Sequence, residues 1–220
     1  DMRFFYEKVE ASRNFANKIW NAARFVHMNI DEKDPELKLP SEMSTVDCWI
    51  VSRLNKVSKE ISDNIEKFEL GIAAQKLYDF IWDEFCDWYI EFSKISGKKE
   101  VLIFVMTNIL KLLHPFMPFV TEEIWLSFPH KEKSIMISEF PKFKSEWVFE
   151  ESEEDVKIII SVIKSVRNLR REMNVPQGKK TAIYIETSNS KFSENLNKHK
   201  EIICKLSYAK DVYLSETYNL

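Results

Sequence analysis

Apolar residues recur at intervals of three and four in five long stretches of this chain, and this spacing constrains the fold more than any other feature. Val46, Ile50 and Leu54 open the second stretch, and residues at this spacing share one face of a helix. The fourth stretch, residues 100–114, is apolar on nearly every side, so we expect it in the middle of a helical bundle. Short connections predict antiparallel neighbours and hence an up-down bundle. Residues 135–137 could add a short strand.

Beyond residue 144 the pattern alternates between helix and strand. The predicted elements are two helices and two strands, at residues 152–173, 181–187, 193–208 and 211–215. Ser152, with Asp155 three residues later, is typical of a helix N-cap, and residues 141–152 have the composition of a linker. We therefore predict a mainly α fold, with an up-down helical bundle at residues 1–144 and a small α+β module at residues 145–220.

The composition is globular, and the charge balance limits how the chain could bind nucleic acid. Hydrophobic residues make up 45% and charged residues 30% of the 220, and the formal net charge is −3. A protein that binds nucleic acid over its whole surface would be basic, so any such binding must be local. With only three glycines, a glycine-rich phosphate loop of the Walker or dinucleotide type is excluded.

The cysteines indicate the redox environment of the protein, and the lengths of the apolar runs indicate whether it could span a membrane. Three cysteines lie far apart, without a Cys-x-x-Cys pair or a His/Cys cluster, so neither a disulfide framework nor a zinc site is indicated. We therefore expect a reducing cytoplasm. The longest apolar run, residues 101–106, is far too short to span a membrane. Because the chain begins at Asp1 and not at Met, we expect it to be a piece of a longer protein.

The first predicted helix, residues 11–28, has two faces of unlike chemistry. Phe15, Ile19 and Val26 gather on the side that predicts a core contact. The opposite side, here called the arginine–asparagine face, consists of Arg13, Asn17, Trp20, Asn21, Arg24 and His27. A solvated face is usually rich in Glu, Lys and Gln, whereas arginines, amides and an indole suit phosphates, base edges and unstacked rings. The alternative is a face that docks on a neighbouring protein domain.

Charge is segregated along the second domain. Six acids lie within residues 146–155, and six cations lie within residues 164–180 against the single acid Glu172. The cations predicted to contact phosphates are Lys164, Arg167 and Arg171. The predicted core stripe of the same helix is Ile159, Val162, Ile163, Val166, Leu169 and Met173. Arg170 falls on this apolar side, where we expect a structural role.

Other polar groups favour structural interpretations. Five carboxylates line the third predicted helix: Asp79, Asp83, Glu84, Asp87 and Glu91. Such a set could serve acid–base chemistry or hold a metal, but no His, Lys or Ser accompanies it at a catalytic spacing, so a solvated or salt-bridged face is favoured. Arg53 could contact nucleic acid or clamp a carbonyl or an acid of this helix, and the clamp is favoured. We therefore predict no catalytic residue and no metal ligand.

Five stretches of the chain resemble the C-terminal part of the valyl-tRNA synthetase family. They are residues 8–26, 49–54, 82–89, 111–125 and 167–176. The first and fourth stretches are shared more loosely with the isoleucine and leucine enzymes of the same class. The run Phe-Cys-Asp-Trp-Tyr at residues 85–89 favours the valine enzymes.

This resemblance implies a helix-bundle domain that holds the anticodon loop of tRNA while a separate catalytic core works at the acceptor end. The arginines and asparagines of the family's first bundle helix correspond to Arg13, Asn17, Asn21 and Arg24. The ATP-site signatures of the family, His-x-Gly-His and Lys-Met-Ser-Lys-Ser, do not occur in the sequence. We therefore expect no activity and no cofactor in this chain, although the parent enzyme would use ATP and Mg.

The expected partners are a valine-accepting tRNA and the catalytic core of the same parent chain, with the protein monomeric and no membrane involved. Three alternatives stay open at this point. The chain could be the anticodon domain of the related isoleucine enzyme, a helical scaffold that binds protein, or a hydrolase or transferase that uses the carboxylates of the third helix.

Overall fold

A computed structural model describes residues 5–30 and 38–216, and the structural statements below refer to these residues. The chain divides into two compact units, Asp1–Phe149 and Glu150–Leu220. The domain boundary predicted after residue 144 stays a prediction about domain organisation. Within the described ranges, no helix combines the length and the apolar character needed to cross a membrane.

The first unit is helical. Its α-helices are α1 (Tyr6–His27), α2 (Thr45–Glu66), α3 (Leu70–Asp79), α4 (Ile90–Ser93), α5 (Lys99–Leu113) and α6 (Pro118–Trp125). A π-helical segment, Phe80–Tyr89, joins α3 to α4 without a break, so the long third helix of the sequence analysis is one helical run. The first helix begins at Tyr6 rather than at Ala11.

The core of the first unit lies around α5, as the sequence predicts. Ten of the fifteen residues of α5 are buried, because apolar side chains occupy nearly every side of this helix. From α1, Phe15, Ile19 and Val26 enter the same core. The predicted bundle is confirmed in this unit.

One prediction about the end of the first unit is wrong. Residues Ile135–Ile137 form a 3-10 turn rather than a strand, because the described part of this unit offers no strand to pair with. Residues of the predicted linker are bound to α2: the Asn55 side chain accepts from the backbone N of Lys144 at 2.8 Å and donates to its carbonyl at 2.7 Å. The backbone N of Phe149 donates to Ser52 at 3.0 Å.

The second unit has the predicted alternation of helix and strand. Its elements are α7 (Glu150–Glu172), β1 (Thr181–Glu186), α8 (Ser190–Lys198), α9 (Lys200–Leu206) and β2 (Ala209–Ser215). The two strands pair in parallel, with Ile183 opposite Val212, and α8 and α9 form the crossover that parallel pairing requires. The single helix predicted at 193–208 is thus two helices that meet at His199.

Two details of α7 differ from the predictions. The helix begins at Glu150, so Ser152 lies inside its first turn and is not the N-cap. The predicted core stripe holds for Ile159 and Ile163, but Leu169 is 56% exposed and Met173 is 67% exposed. At this end the buried position of α7 belongs to Arg170.

Candidate nucleic-acid interface

The orientation of α1 is fixed by contacts with the helical run that contains α3. The ring of Phe15 lies 4.6 Å from the ring of Tyr78. On the same flank, Lys18 Nζ lies 2.6 Å from an oxygen of Asp87 and 3.7 Å from the centre of the Trp82 ring. With these groups turned toward the bundle, the opposite side of α1 is turned toward solvent.

All six residues of the arginine–asparagine face are exposed. Trp20 is 46% exposed, which is unusual for so large an apolar ring. The face is therefore a surface of the first unit and not a part of its core. A nucleotide could reach each of its side chains.

Few of these side chains are bound to the rest of the chain. Arg13 donates to Glu10 at 3.1 Å, but this pair on the first turns of α1 is largely exposed, and such pairs contribute little. Within the described residues, the side chains of Asn17, Asn21 and Arg24 have no hydrogen-bond or ion-pair partner. The face thus presents amide and guanidinium groups, which can pair with base edges and phosphates.

The predicted phosphate contacts of the second unit lie on α7. Lys164, Arg167 and Arg171 are all exposed. Arg167 Nε also donates to the carbonyl of Leu206 at 2.8 Å, and Arg171 donates to Asn168 at 3.4 Å. The charged ends of these residues stay at the surface, where counterions or phosphates can approach.

Arg170 has the structural role predicted for it. It is only 8% exposed, and it donates to the carbonyls of Pro176 at 2.9 Å and Lys179 at 2.8 Å. A third bond runs to the hydroxyl of Thr181 at 2.8 Å. A buried guanidinium needs acceptors, and here they come from the turn between α7 and β1.

Three of the five carboxylates of the third helical run, Glu84, Asp87 and Glu91, form ion pairs, as the salt-bridged interpretation predicts. Arg53 holds Glu84 with two bonds of 2.7 and 2.8 Å, which confirms the predicted clamp. Glu91 pairs with Lys94 at 2.5 Å. Within residues 5–30 and 38–216, no three His, Cys, Asp or Glu side chains are grouped as a metal site would require.

The thiols of Cys86 and Cys204, both of which are half-buried, are poor nucleophiles. Burial raises the pKa of Cys86 to about 12, with Lys18 opposing and Asp87 reinforcing this effect. Burial also raises the pKa of Cys204. Because the thiolate is the reactive form, neither group is activated at neutral pH.

One surface residue was missed by the sequence analysis. Tyr208 lies between α9 and β2 and, together with Arg167 and Arg171, lines a hollow of about 570 Å³. Its backbone is left-handed, with a φ of 56°. Glycine or asparagine usually signals such a position in a sequence, and neither stands here.

Comparisons with known proteins agree with the resemblance found in the sequence. A family model described as the anticodon-binding domain of tRNA ligase matches residues 47–186, a range that begins after α1. The chain is 52% identical to the valine–tRNA ligase of Clostridium tetani, over 84% of the chain and 22% of that protein. It is 48% identical to the Clostridium acetobutylicum enzyme, over 96% of the chain and 25% of that protein.

A third relative is the valine–tRNA ligase of Bacillus subtilis, 42% identical over 92% of the chain and 24% of that protein. The chain therefore spans about a quarter of the length of the curated relatives it matches. The resemblance to the valine enzymes is confirmed by these matches.

Proposed function

The chain belongs to the family of anticodon-binding domains of tRNA ligases, and we propose that it is the tRNA-recognition part of a valine–tRNA ligase. In this proposal residues 1–144 bind the anticodon, and residues 145–220 are the accompanying module. The catalytic core of the parent protein, which uses ATP and Mg, acts at the acceptor end of the tRNA. The parent is cytoplasmic and monomeric.

The observation that carries this proposal is the exposure of unpartnered recognition groups on α1. Asn17, Asn21 and Arg24 point to solvent, and no side-chain partner within the described residues competes for them. The unpaired bases of an RNA loop offer edges that amides can read and planes that rings and guanidinium groups can stack on. Trp20 supplies such a ring on the same face.

Binding at the anticodon increases the rate of aminoacylation because it positions the tRNA. The free energy released at the anticodon loop and at the phosphates orients the acceptor end in the catalytic core, which lowers the entropic cost of the reaction there. A tRNA with the wrong anticodon does not make these contacts, so its acceptor end is oriented less well in the catalytic core. The domain needs no reactive group for this role.

The cations of α7 contribute differently from the face of α1. Lys164, Arg167 and Arg171 neutralise phosphates, which every tRNA carries at equivalent positions. Their contribution is therefore independent of the anticodon, and it weakens as salt competes with the released counterions. The formal net charge of −3 restricts this attraction to local patches.

A titration of the chain with two tRNA transcripts tests the proposal. One transcript carries the valine anticodon, and the other is identical except for an isoleucine anticodon. We expect the valine transcript to bind more tightly, and we expect the double variant Arg13→Ala/Arg24→Ala to lose this difference. Lys164→Ala should weaken the binding of both transcripts equally. It should also reduce the slope of the logarithm of the binding constant against the logarithm of the salt concentration by about 0.7–0.9.

A matched control removes two charges elsewhere in the first unit. Lys131 and Lys133 are exposed and lie outside α1, so Lys131→Ala/Lys133→Ala should keep the discrimination between anticodons. Equal affinity of the native chain for both transcripts would refute the anticodon-specific part. Tighter binding of the isoleucine transcript would assign the chain to the isoleucine enzymes. Absence of salt-dependent RNA binding would favour the protein-binding scaffold.

A further inference from the structure

A positively charged hollow lies at the C-terminal end of α7, within the second unit. Its walls include Arg167 and Arg171 from α7, Gln177 from the following turn and Tyr208 from the connection between α9 and β2. Among the described residues, no Asp or Glu lines it. Its volume of about 570 Å³ lies within the range of about 300–1,000 Å³ that small-ligand clefts occupy.

The walls are held in place by hydrogen bonds within the chain. Arg167 Nε donates to the carbonyl of Leu206 at 2.8 Å, two residues before Tyr208, so this arginine is tied to the opposite wall. The buried Arg170 holds the turn that carries Gln177, through the carbonyls at positions 176 and 179. The hollow therefore has its shape before any ligand arrives, which reduces the entropic cost of binding.

Tyr208 occupies a backbone position that does not suit it. Helix α9 ends at Leu206, and Tyr208 follows with a φ of 56°, the left-handed conformation that glycine adopts most easily at helix ends. At the end of α7 the same conformation is taken by Asn174, a residue that tolerates it. A bulky ring here is sterically disfavoured, and strained positions of this kind cluster at ligand sites.

The ring of Tyr208 is also available to stack on a ligand. The residue is 37% exposed, and within the described residues its ring has no aromatic or cation partner. The fold thus keeps an aromatic side chain where glycine would be less strained, beside two arginines and with no internal contact between rings. This combination is typical of a platform for a flat ligand bearing negative charge.

We propose that this hollow binds a single unstacked nucleotide of the tRNA, with Tyr208 stacked on the base and Arg167 and Arg171 on its phosphate. The amide of Gln177 can bond the edge of the base. The inference rests on the proposed function, because it takes tRNA as the ligand. It adds a recognition site in the second unit that is distinct from the face of α1.

The test compares Tyr208→Gly with Tyr208→Phe, and the probe is a fluorescein-labelled tRNA transcript with the valine anticodon. Loss of the ring in Tyr208→Gly should raise the Kd at least about fivefold, the lower limit for one base stacked on an aromatic side chain. The same variant should unfold at an equal or higher urea concentration, because glycine relieves the left-handed backbone. Tyr208→Phe keeps the ring and should bind like the native chain.

The control is Tyr184→Ala, which removes another exposed tyrosine of the second unit outside the hollow and should leave the Kd unchanged. The inference is overturned if Tyr208→Gly binds tRNA as well as the native chain, if Tyr208→Phe weakens binding as much as Tyr208→Gly, or if Tyr208→Gly unfolds more easily. In these cases Arg13→Ala/Arg24→Ala still reports on the proposed function. If the native chain binds no tRNA, the proposed function fails, and this inference fails with it.

Discussion

Arginine side chains in this chain differ in what their guanidinium groups contact. Arg53 gives two bonds to Glu84, and Arg170 gives three bonds to oxygens of the following turn. Arg24 has no side-chain partner within the described residues. A guanidinium group that is buried among its acceptors or held by a bidentate pair has few donors left for a ligand, so these contacts distinguish Arg53 and Arg170 from Arg24.

The clamp between Arg53 and Glu84 should stabilise the first unit measurably. Both side chains are less than a third exposed, and bidentate pairs of this kind are among the stronger hydrogen bonds in proteins. We expect Glu84→Gln to lower the free energy of unfolding by about 1–2 kcal/mol, measured by urea denaturation with tryptophan fluorescence. All six tryptophans lie before residue 150, so this signal reports the first unit.

A matched control makes the same substitution further along the helical run. Glu91 pairs with Lys94, and the two side chains are 42% and 43% exposed. Glu91→Gln should change the free energy of unfolding by less than about 0.5 kcal/mol. Equal losses in the two variants would contradict the structural role given to the clamp.

The sequence predicts roles of single residues where helical periodicity decides them. Arg170 is assigned a structural role in this way, because a cation placed toward an apolar face must find acceptors, whereas periodicity does not decide between the two interpretations of Arg53. Tyr208 was not found, since a left-handed φ can be read from a sequence only when glycine or asparagine occupies the position. The contacts of the arginine–asparagine face with tRNA stay a prediction.

At the scale of elements, the start of α2 is linked to the rest of the bundle by one buried carboxylate. The carboxylate of Asp47 accepts from the backbone N of Ser44 at 3.1 Å while the backbone N of Asp47 donates to the Ser44 hydroxyl at 3.3 Å, which forms a capping box, and the same hydroxyl donates to the carboxylate of Asp47 at 2.7 Å. It also accepts from the hydroxyl of Tyr89 at 2.7 Å and from the backbone N of Lys98 at 3.2 Å. Burial, and then the charge of Asp47, raise the pKa of Tyr89 well above its usual value, so this hydroxyl keeps its proton and donates.

Removal of this carboxylate should therefore cost more than the loss of a helix cap. Asp47→Ala leaves the buried hydroxyl of Tyr89 and the part-buried backbone N atoms of Ser44 and Lys98 without this acceptor, and a fully buried donor that loses its acceptor costs about 1–3 kcal/mol. We expect the free energy of unfolding to fall by roughly 3 kcal/mol or more in urea denaturation. Ser44→Ala removes only the cap side chain and should cost about 1 kcal/mol. Equal effects of the two substitutions would show that Asp47 acts only as part of the cap.

The long elements could be predicted from the sequence, whereas their ends could not. The stripe of α7 was extended to Leu169 and Met173 because periodicity alone does not show what packs against a helix. At this end of α7 the following turn presents carbonyl groups rather than apolar side chains. Arg170 donates to these carbonyls and is buried there in place of an apolar residue. The wrong strand at residues 135–137 has a similar cause, since a β-branched pair indicates a strand only where a partner strand exists.

At the scale of the whole molecule, the two units contain different titratable groups in their interiors. The second unit buries His199, which is 8% exposed and lies between α8 and α9. Burial lowers its pKa below the usual 6.5, Lys198 lowers it further, and Asp155 partly opposes them. The Nε2 atom is buried without a hydrogen-bond partner in the described structure, so the fold favours the neutral ring.

The second unit should consequently lose stability as the solution is acidified. Below pH 6.5 the unfolded chain binds a proton at His199, whereas the folded chain does not until its lower pKa is reached. More protons are then bound to the unfolded state, so the free energy of unfolding decreases as the pH is lowered across this window. Urea titrations at pH 7.5 and 5.5, followed by NMR signals of the β1 and β2 amides, should show a lower midpoint at pH 5.5. His199→Gln cannot titrate and should show a smaller drop; an equal drop in variant and native chain would place the pH dependence in other groups.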